Sequence, residues 1–210
     1  MGGNLGGAWT KTTYNFSWGA GNSFAPSNDG WFNQSFGGVV GGFQVGQNWQ
    51  FNHLVVGAET GLDGLGLSTT TTNPFEGLSG TMTTYNTSLN WIYSFTPRIG
   101  YAYQCYLFFV KLGVGFGRET STLQTNQLDN LTPVTPGSFS QRQNLFGLDA
   151  GAGIDFAHKN YVFGVVYDHY DFGRNYFAGV TMPYNGYAVG YTINNPVNTI
   201  KVTADYKFKD

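Results

Sequence analysis

Residues 106–118, with the sequence YLFFVKLGVGFGR, show the pattern that decides the fold. Every second side chain is large and apolar, namely Tyr106, Phe108, Val110, Leu112, Val114 and Phe116. The positions between them carry Lys111, Gly113, Gly115 and Gly117, together with Leu107 and Phe109. Because successive side chains of a β-strand point to opposite faces, this alternation predicts a strand with one apolar face and one small or charged face.

The same alternation recurs along the rest of the chain. It predicts strands at residues 36–49, 54–67, 89–101, 144–156, 161–172 and 198–208, and a first strand within Gly2–Trp18. In the segment 89–101 it assigns Leu89 to the apolar face with Trp91 and Tyr93, and Arg98 to the opposite face. With 106–118, this makes eight strands and almost no helical signal, so the sequence predicts an all-β protein.

The connections between these strands alternate in length. Three are about four residues long, at 50–53, 102–105 and 157–160, whereas the others, at 19–35, 68–84, 119–142 and 173–197, are long and polar. Tight turns at one end and long loops at the other are typical of bacterial outer-membrane barrels. We therefore predict an eight-stranded antiparallel up-and-down transmembrane β-barrel, with short periplasmic turns and four long extracellular loops, in a single domain over residues 1–210.

The composition agrees with a barrel and excludes other classes. Only 22 of the 210 residues are charged, 10% against roughly 25% in soluble domains, and no apolar run approaches the roughly 18 residues of a membrane-spanning helix. Aromatic residues make up 18%, which excludes disorder. The net charge of −2 argues against a nucleic-acid partner, and the single cysteine, Cys105, argues against a disulfide or a structural zinc site.

The charges on the inward faces are the candidate functional residues. Counted from the short turns, they lie at two depths, so we expect them to meet as a paired network that plugs the narrow lumen: Glu59, Arg98, Lys111, Asp149, Asp155, Asp168, Lys201 and Asp205. The alternative for this network is a proton or ion relay. Aromatic residues on the apolar faces, several of them beside the short turns, predict a girdle at the membrane surface: Trp49, Trp91, Tyr93, Tyr101, Tyr106, Phe156, Tyr161, Tyr206 and Phe208.

Several stretches resemble one family in order along the chain: GVVGGFQVGQNWQ at 38–50, VGAE at 56–59, PRIGY at 97–101, residues 110–117, residues 151–156, YDHYDFG at 167–173 and DYKF at 205–208. They are similar to the small porin-like outer-membrane β-barrels of alphaproteobacteria, which are related to opacity proteins and to the OmpA transmembrane domain. The resemblance implies an integral outer-membrane protein, monomeric or weakly oligomeric and often surface-antigenic. Some members of that family bind haemin or host molecules.

The two ends of the chain depart from this family. Met1 stands where the family has several further residues of the first strand, which predicts a first strand lacking its periplasmic part. Lys209 and Asp210 follow Phe208, whereas the family ends on an aromatic residue. No basic region followed by an apolar stretch opens the chain, so we expect the signal peptide of an exported protein to be absent from it.

Catalytic and cofactor sites find little support in the residues. Asp168, His169 and Asp171 are the best catalytic set, but period two sends His169 outward and Asp168 inward, so we expect no enzyme. We also expect no cofactor and no metal, because His53 and His158 fall in short turns and His169 lies toward the other end. Four tyrosines of the last long connection are candidate ligand contacts: Tyr176, Tyr184, Tyr187 and Tyr191.

These observations together predict a structural, surface-interactive protein of the bacterial outer membrane. Its expected partners are outer-membrane lipid and lipopolysaccharide, the barrel-assembly machinery during insertion, and an external or host ligand at the loops. The alternatives are a narrow porin-like channel for ions or small solutes, haemin or ligand binding through the loops, and a soluble ligand-binding barrel.

Overall fold

The computed structural model describes residues 1–18, 31–72, 81–127, 137–181 and 188–208. Within these residues the chain forms eight strands: β1 (Gly2–Trp18), β2 (Trp31–Phe51), β3 (Leu54–Thr72), β4 (Thr81–Tyr103), β5 (Tyr106–Gln127), β6 (Gly137–His158), β7 (Tyr161–Thr181) and β8 (Ala188–Tyr206). Each strand pairs antiparallel with the next, and β1 pairs with β8 from Gly2 opposite Asp205 to Trp18 opposite Val189. The predicted closed, up-and-down barrel of eight strands is confirmed.

Three tight turns join the strands at one end of the barrel. Each has two residues, at 52–53, 104–105 and 159–160, and its first residue has a φ near +55°, at Asn52, Gln104 and Lys159. The carbonyl of the second turn residue accepts a hydrogen bond from the neighbouring hairpin, as His53 O does from Ala102 N at 2.7 Å. The same bond recurs from Ala157 N to Cys105 O and from Lys207 N to Asn160 O. The turns therefore join adjacent hairpins as well as adjacent strands.

The strands extend further toward the other end than the sequence predicted. Thr120 pairs with Arg142, and Leu123 with Phe139, all within the predicted loop 119–142. Strands β2, β3, β4, β7 and β8 likewise include residues of the predicted loops 19–35, 68–84 and 173–197. These outer parts are rich in Thr, Ser, Asn and Gln on both faces. Without an apolar face they show no alternation, which is why they resembled loops.

The outward face of the barrel is an apolar band with aromatic rings near both borders. Near the short turns, Tyr106 lies 5.3 Å from Phe156 and Tyr161 lies 5.6 Å from Tyr206, measured between ring centroids. Toward the other end, Phe116 lies 4.9 Å from Phe146 and 6.2 Å from Tyr93. Between them, exposed aliphatic side chains cover the strands: Leu5, Val39, Leu62, Val110, Leu112, Leu148, Val165, Ile200 and Val202. A continuous apolar surface of this kind requires an apolar surrounding.

One predicted facing is wrong. Leu89 is buried inside the barrel and does not lie on the outward face with Tyr93. The β4–β5 pairing shifts register between Leu89 and Trp91, and the β3–β4 pairing shifts between Gly64 and Leu67. A β-bulge inserts one extra residue and so reverses the facing of every residue beyond it.

The interior is layered. Charged side chains occupy the half near the short turns. Above them, toward the other end, lies a set of buried side chains that we call the apolar layer: Val40, Leu65, Leu67, Leu89, Ile92, Leu145, Phe172 and Val197. The sequence predicted a small or polar inward face throughout, so the apolar layer corrects that expectation. All its members except Val197 lie within the predicted strands, and Leu67 and Leu89 lie at the register shifts of the β3–β4 and β4–β5 pairings.

Candidate functional site in the barrel lumen

Seven charged side chains form a continuous chain of alternating sign across the lumen, which we call the lumen network. The N to O distances are 2.7 Å for Lys201–Asp63, 3.0 Å for Lys201–Asp168, 2.8 Å for Lys111–Asp168, 3.5 Å for Lys111–Glu59, 3.3 Å for Arg98–Glu59 and 3.5 Å for Arg98–Asp155. All these side chains are less than one fifth exposed. Charges this buried persist because each has opposite charges beside it.

Strand register and a glycine bring the centre of the network together. Lys111 on β5 pairs with Gly151 on β6, which pairs with Asp168 on β7. A Cβ atom on Gly151 would lie 2.3 Å from Asp168 Oδ1 and 2.9 Å from Lys111 Cε. Glycine therefore leaves the space through which the lysine reaches the carboxylate two strands away.

The same arrangement recurs at three other lumen aspartates, each of which lies over a glycine of the neighbouring strand. A Cβ atom on Gly42 would lie 2.3 Å from Asp63 Oδ1, and one on Gly164 the same distance from Asp155 Oδ1. At the seam, a Cβ atom on Gly2 would lie 2.4 Å from Asp205 Oδ1. Such contacts are far shorter than two atoms allow, so the inward glycines accommodate the carboxylates in this narrow barrel.

Amide side chains extend the network to Asp205. Gln44 Nε2 donates to both oxygens of Asp205, at 3.0 and 2.9 Å. Asn4 Nδ2 lies 3.3 Å from Gln44 Oε1 and donates to Asp63 Oδ1 at 2.8 Å. Arg98 is held by Asn48, whose Oδ1 accepts from its Nε at 2.9 Å, and by the ring of Phe109, 4.9 Å away. Polar side chains thus satisfy much of the hydrogen-bonding capacity that the ion pairs leave unused.

Asp149 differs from the other predicted members. Its side chain is fully buried and opposite Tyr170 in the register, but within the described residues neither carboxylate oxygen has a hydrogen bond or an ion pair. Lys111 and Lys201 act on it at longer range, against the like charges of Asp168 and Glu59. Asp149 is therefore the polar group of the lumen with most capacity for a further partner.

Six of the eight predicted lumen residues thus lie in one ion-paired chain: Glu59, Arg98, Lys111, Asp155, Asp168 and Lys201. Asp205 joins through Gln44, and Asp149 lies beside the chain. The sequence prediction missed Asp63, the partner of Lys201. Its parity with Glu59 on β3 was a sufficient signal, because both fall on the inward face.

A further buried carboxylate, Glu119, lies opposite Leu89 of the apolar layer, in a segment predicted to be a loop. Glu119 accepts hydrogen bonds from Asn195 Nδ2 and, at 3.2 Å, from Ser121 Oγ. Thr12 donates in turn to Asn195. No cation lies within ion-pair distance of Glu119 among the residues with described side chains. Its charge is thus opposed only by dipoles.

The remaining candidates do not form a site in the described residues. His169 points outward, with Nδ1 2.8 Å from Asn198 Oδ1, while Asp168 points into the lumen. His53 stacks on Tyr101 in the first short turn, with ring centroids 5.5 Å apart. Tyr184 and Tyr187 lie outside the described residues. Only the backbones of Tyr176 and Tyr191 are described, in β7 and β8 and so not in a loop as predicted.

No group of three or more His, Cys, Asp or Glu side chains in the described ranges is arranged to hold a metal ion. None of the described residues forms a helix that is long and apolar enough to cross a membrane.

A closed eight-stranded barrel with two-residue turns at one end, an outward apolar band bordered by aromatic rings, and a charged interior defines an integral β-barrel protein of the bacterial outer membrane. The chain is 29% identical over 175 residues to the 31 kDa outer-membrane immunogenic proteins of Brucella melitensis and Brucella suis, covering 82% of this chain and 67% of each relative. The predicted resemblance to small alphaproteobacterial outer-membrane barrels and the predicted location in the outer membrane are confirmed. No protein-family model matches the chain.

Solved structures of small outer-membrane proteins align along nearly the whole chain but superpose loosely. OprG from Pseudomonas aeruginosa covers 98% of this chain and 96% of its own, with 9% identity and a TM-score of 0.43. Neisserial surface protein A covers 93% and 96%, with 12% identity and a TM-score of 0.29. Ail of Yersinia pestis covers 96% and 99%, with 12% identity and a TM-score of 0.26. The assignment to the outer-membrane β-barrel proteins therefore rests on the barrel of this chain and on the Brucella relatives.

Proposed function

We propose that the protein is a sealed barrel with a structural and surface-interactive role in the outer membrane. The observation that carries this proposal is the lumen network, in which seven alternating charges from β3 to β8 occupy the lumen. The interior of an eight-stranded barrel is just wide enough for side chains to fill it. A solute would have to separate ion pairs that are already stripped of water, and separating a buried pair costs about 3–5 kcal/mol.

The apolar layer supports the same proposal independently. Its members are nearly inaccessible, with Val40, Leu67 and Ile92 each 1% exposed. An ion crossing this layer would lose its water without gaining a polar partner, which is strongly unfavourable. The lumen network and the apolar layer therefore act in series.

One observation favours the alternative of a narrow ion path. The unpaired carboxylate of Asp149 offers a position for a cation or a proton in the lumen. However, Leu145 follows on β6 toward the outer end and belongs to the apolar layer, so such a path would stop beyond Asp149. The alternative predicts conductance, and the proposal predicts none.

The surface role concerns the four connections at the outer end of the barrel. The Brucella relatives are named immunogenic, which supports exposure of these connections at the cell surface. In this proposal the protein is a monomer that contacts outer-leaflet lipid and lipopolysaccharide, takes external or host ligands at the connections, and is inserted by the barrel-assembly machinery. It performs no catalysis. Haemin binding stays a prediction from the family resemblance, because Tyr184 and Tyr187 are not described and His53 and His169 have separate neighbours.

Planar-bilayer recordings of the purified, refolded protein test the seal. We expect no stable single-channel steps from the parent protein. The double variant Leu67→Ala with Ile92→Ala removes side chains from the apolar layer, while Leu62→Ala with Val110→Ala removes the same kind of side chain from the outward face. Only the first pair is expected to raise ion leakage. Uniform conductance steps from the parent would overturn the sealed barrel in favour of a channel.

A further inference from the structure

The charged side chains on the outward face of the described strands are distributed unevenly. There are five of them, Lys11, Arg118, Arg142, Asp171 and Arg174, and all lie toward the long connections, with Asp171 opposite Leu148 of the apolar band and the others beyond it. Four of the five are cations. None has an ion-pair partner among the residues whose side chains are described. The outer border of the membrane therefore meets a surface that is mainly basic.

Two of these cations lie close together on adjacent strands. Arg118 on β5 pairs with Asn144 on β6, and Thr120 pairs with Arg142. Arg118 and Arg142 are thus diagonal neighbours on one face, a relationship that separates Cβ atoms by about 7–8 Å. Both side chains are exposed, and two long guanidinium groups at this spacing can reach the same small anion.

The surroundings of Arg118 fix its direction. Its Nε donates to Asn144 Oδ1 at 3.2 Å, and its guanidinium carbon lies 6.0 Å from the ring of Trp91. The side chain is thus held along the outward face at the border of the apolar band. Its remaining N–H groups have no acceptor in the described part of the chain, so they are free to bind a ligand.

Directly below the two arginines the surface is apolar. Phe116 and Phe146, each two residues closer to the short turns than Arg118 and Asn144, form a ring pair that is 40% and 61% exposed. A ligand that complements the whole surface has an anionic group above and hydrocarbon below. Outer-leaflet lipids have this form, with an anionic headgroup above hydrocarbon chains.

We propose that Arg118 and Arg142 bind a phosphate group of lipopolysaccharide in the outer leaflet, with its acyl chains on Phe116 and Phe146. This assignment rests on the proposed function, which places the long connections outside the cell. Arginine suits this ligand because its planar guanidinium group binds phosphate oxygens in a bidentate manner. The phosphate would also relieve the repulsion between the two neighbouring cations.

The test uses a double variant that carries both Arg118→Gln and Arg142→Gln. It is compared with a matched control at the opposite end of the barrel. The control, Lys159→Gln with Lys207→Gln, removes the same charge at the short turns. Glutamine is compatible with the backbone at 159, because Gln104 has a φ of 55° at the equivalent turn position. The probes are purified bis-phosphorylated lipid A and the same lipid A without phosphates, titrated into the protein in neutral detergent micelles.

We expect the arginine double variant to bind bis-phosphorylated lipid A at least about tenfold more weakly than the parent, since it loses the charge-assisted hydrogen bonds of both guanidinium groups to the phosphate. The control variant should bind as the parent does. Unchanged affinity in the arginine variant would overturn the assignment. Equal losses in both variants, or equal parent affinity for the two lipids, would also overturn it, because binding would then depend on net charge or on acyl chains alone.

Two further measurements distinguish a loss of lipid A binding from misfolding and from a failure of the sealed barrel. The heat-induced shift in gel mobility shows whether each variant folds, and we expect no change, since both arginines are exposed. Conductance reports on the seal alone. A parent protein that conducts but loses lipid A affinity on substitution of the arginines would overturn the sealed barrel and uphold the lipopolysaccharide site.

Discussion

The carboxylate of Asp168 lies between two lysines, with Oδ1 2.8 Å from Nζ of Lys111 and Oδ2 3.0 Å from Nζ of Lys201. All three side chains are buried. One carboxylate therefore bridges two cations that approach it from different sides, which makes Asp168 the centre of the lumen network.

Replacing Asp168 by asparagine should destabilise the barrel by about 3–5 kcal/mol, because it breaks two buried ion pairs at once and leaves Lys111 and Lys201 with one carboxylate partner each, Glu59 and Asp63. Urea unfolding in lipid vesicles, followed by tryptophan fluorescence, measures the change. The control is Asp171→Asn, three residues along β7, where the side chain is exposed and has no ion-pair partner in the described residues. Equal stability of the two variants would contradict a structural role for the network.

Gly151→Ala should cost about 1–3 kcal/mol through overpacking, because the added Cβ would lie 2.3 Å from Asp168 Oδ1 and 2.7 Å from the carbonyl oxygen of Tyr167. Gly7→Ala is the matched control, since no atom lies within 4 Å of its added Cβ. Thermal unfolding of both variants, scored by gel mobility, compares them. A Gly151→Ala protein as stable as Gly7→Ala would show that the carboxylate needs no glycine beside it.

Glu119→Gln should change stability by less than about 1 kcal/mol or increase it. The amide oxygen can still accept from Asn195 Nδ2, and the amide nitrogen can donate to Ser121 Oγ, because a hydroxyl both donates and accepts. The substitution also removes a buried charge that has no cation beside it in the described structure. This outcome contrasts with the loss expected at Asp168, although both carboxylates are fully buried. Urea titrations of the two variants under one condition test the contrast, and a similar loss at both sites would refute it.

Leu67→Ala should cost about 2–5 kcal/mol, because it opens a cavity in the apolar layer. Leu62→Ala on the same strand removes an equal volume from the outward face, where Leu62 is 53% exposed. Lipid chains are as apolar as leucine and can fill the gap there, so its cost should be smaller. The free energies of unfolding of the two variants measure the difference, and an equal cost would indicate that the apolar layer is not tightly packed.

The sequence was sufficient to predict the membrane-spanning part of the barrel. There one face meets lipid and the other a charged lumen, and alternation records that contrast directly, as in residues 106–118. The placement of Lys111 and Asp168 on inward faces followed from parity alone. Their contact did not, because it depends on which strands lie side by side and on the empty space over Gly151.

The misplaced residues have physical causes as well. The sequence assigned Leu89 to the lipid-facing side because the alternation was continued past a β-bulge, where the facing changes. A bulge is a property of the pairing between strands, so one strand's sequence does not show it. Ile92 indicated an apolar part of the interior, since it is apolar at a position whose parity is inward. The outer parts of the strands escaped detection because both of their faces carry polar side chains, so no apolar alternation marks them.

The lumen network also bears on the order of assembly. Its members come one each from β4, β5, β6, β7 and β8 and two from β3, and no hairpin closed by a short turn contains a balanced set. Lys111 meets Asp168 only after β7 has joined, and Lys201 meets Asp63 only when β8 has come round to face β3. An incomplete sheet that entered the bilayer would expose bare ammonium groups to hydrocarbon. Completion of these ion pairs thus requires the last strand, and it links insertion into the membrane to closure of the barrel.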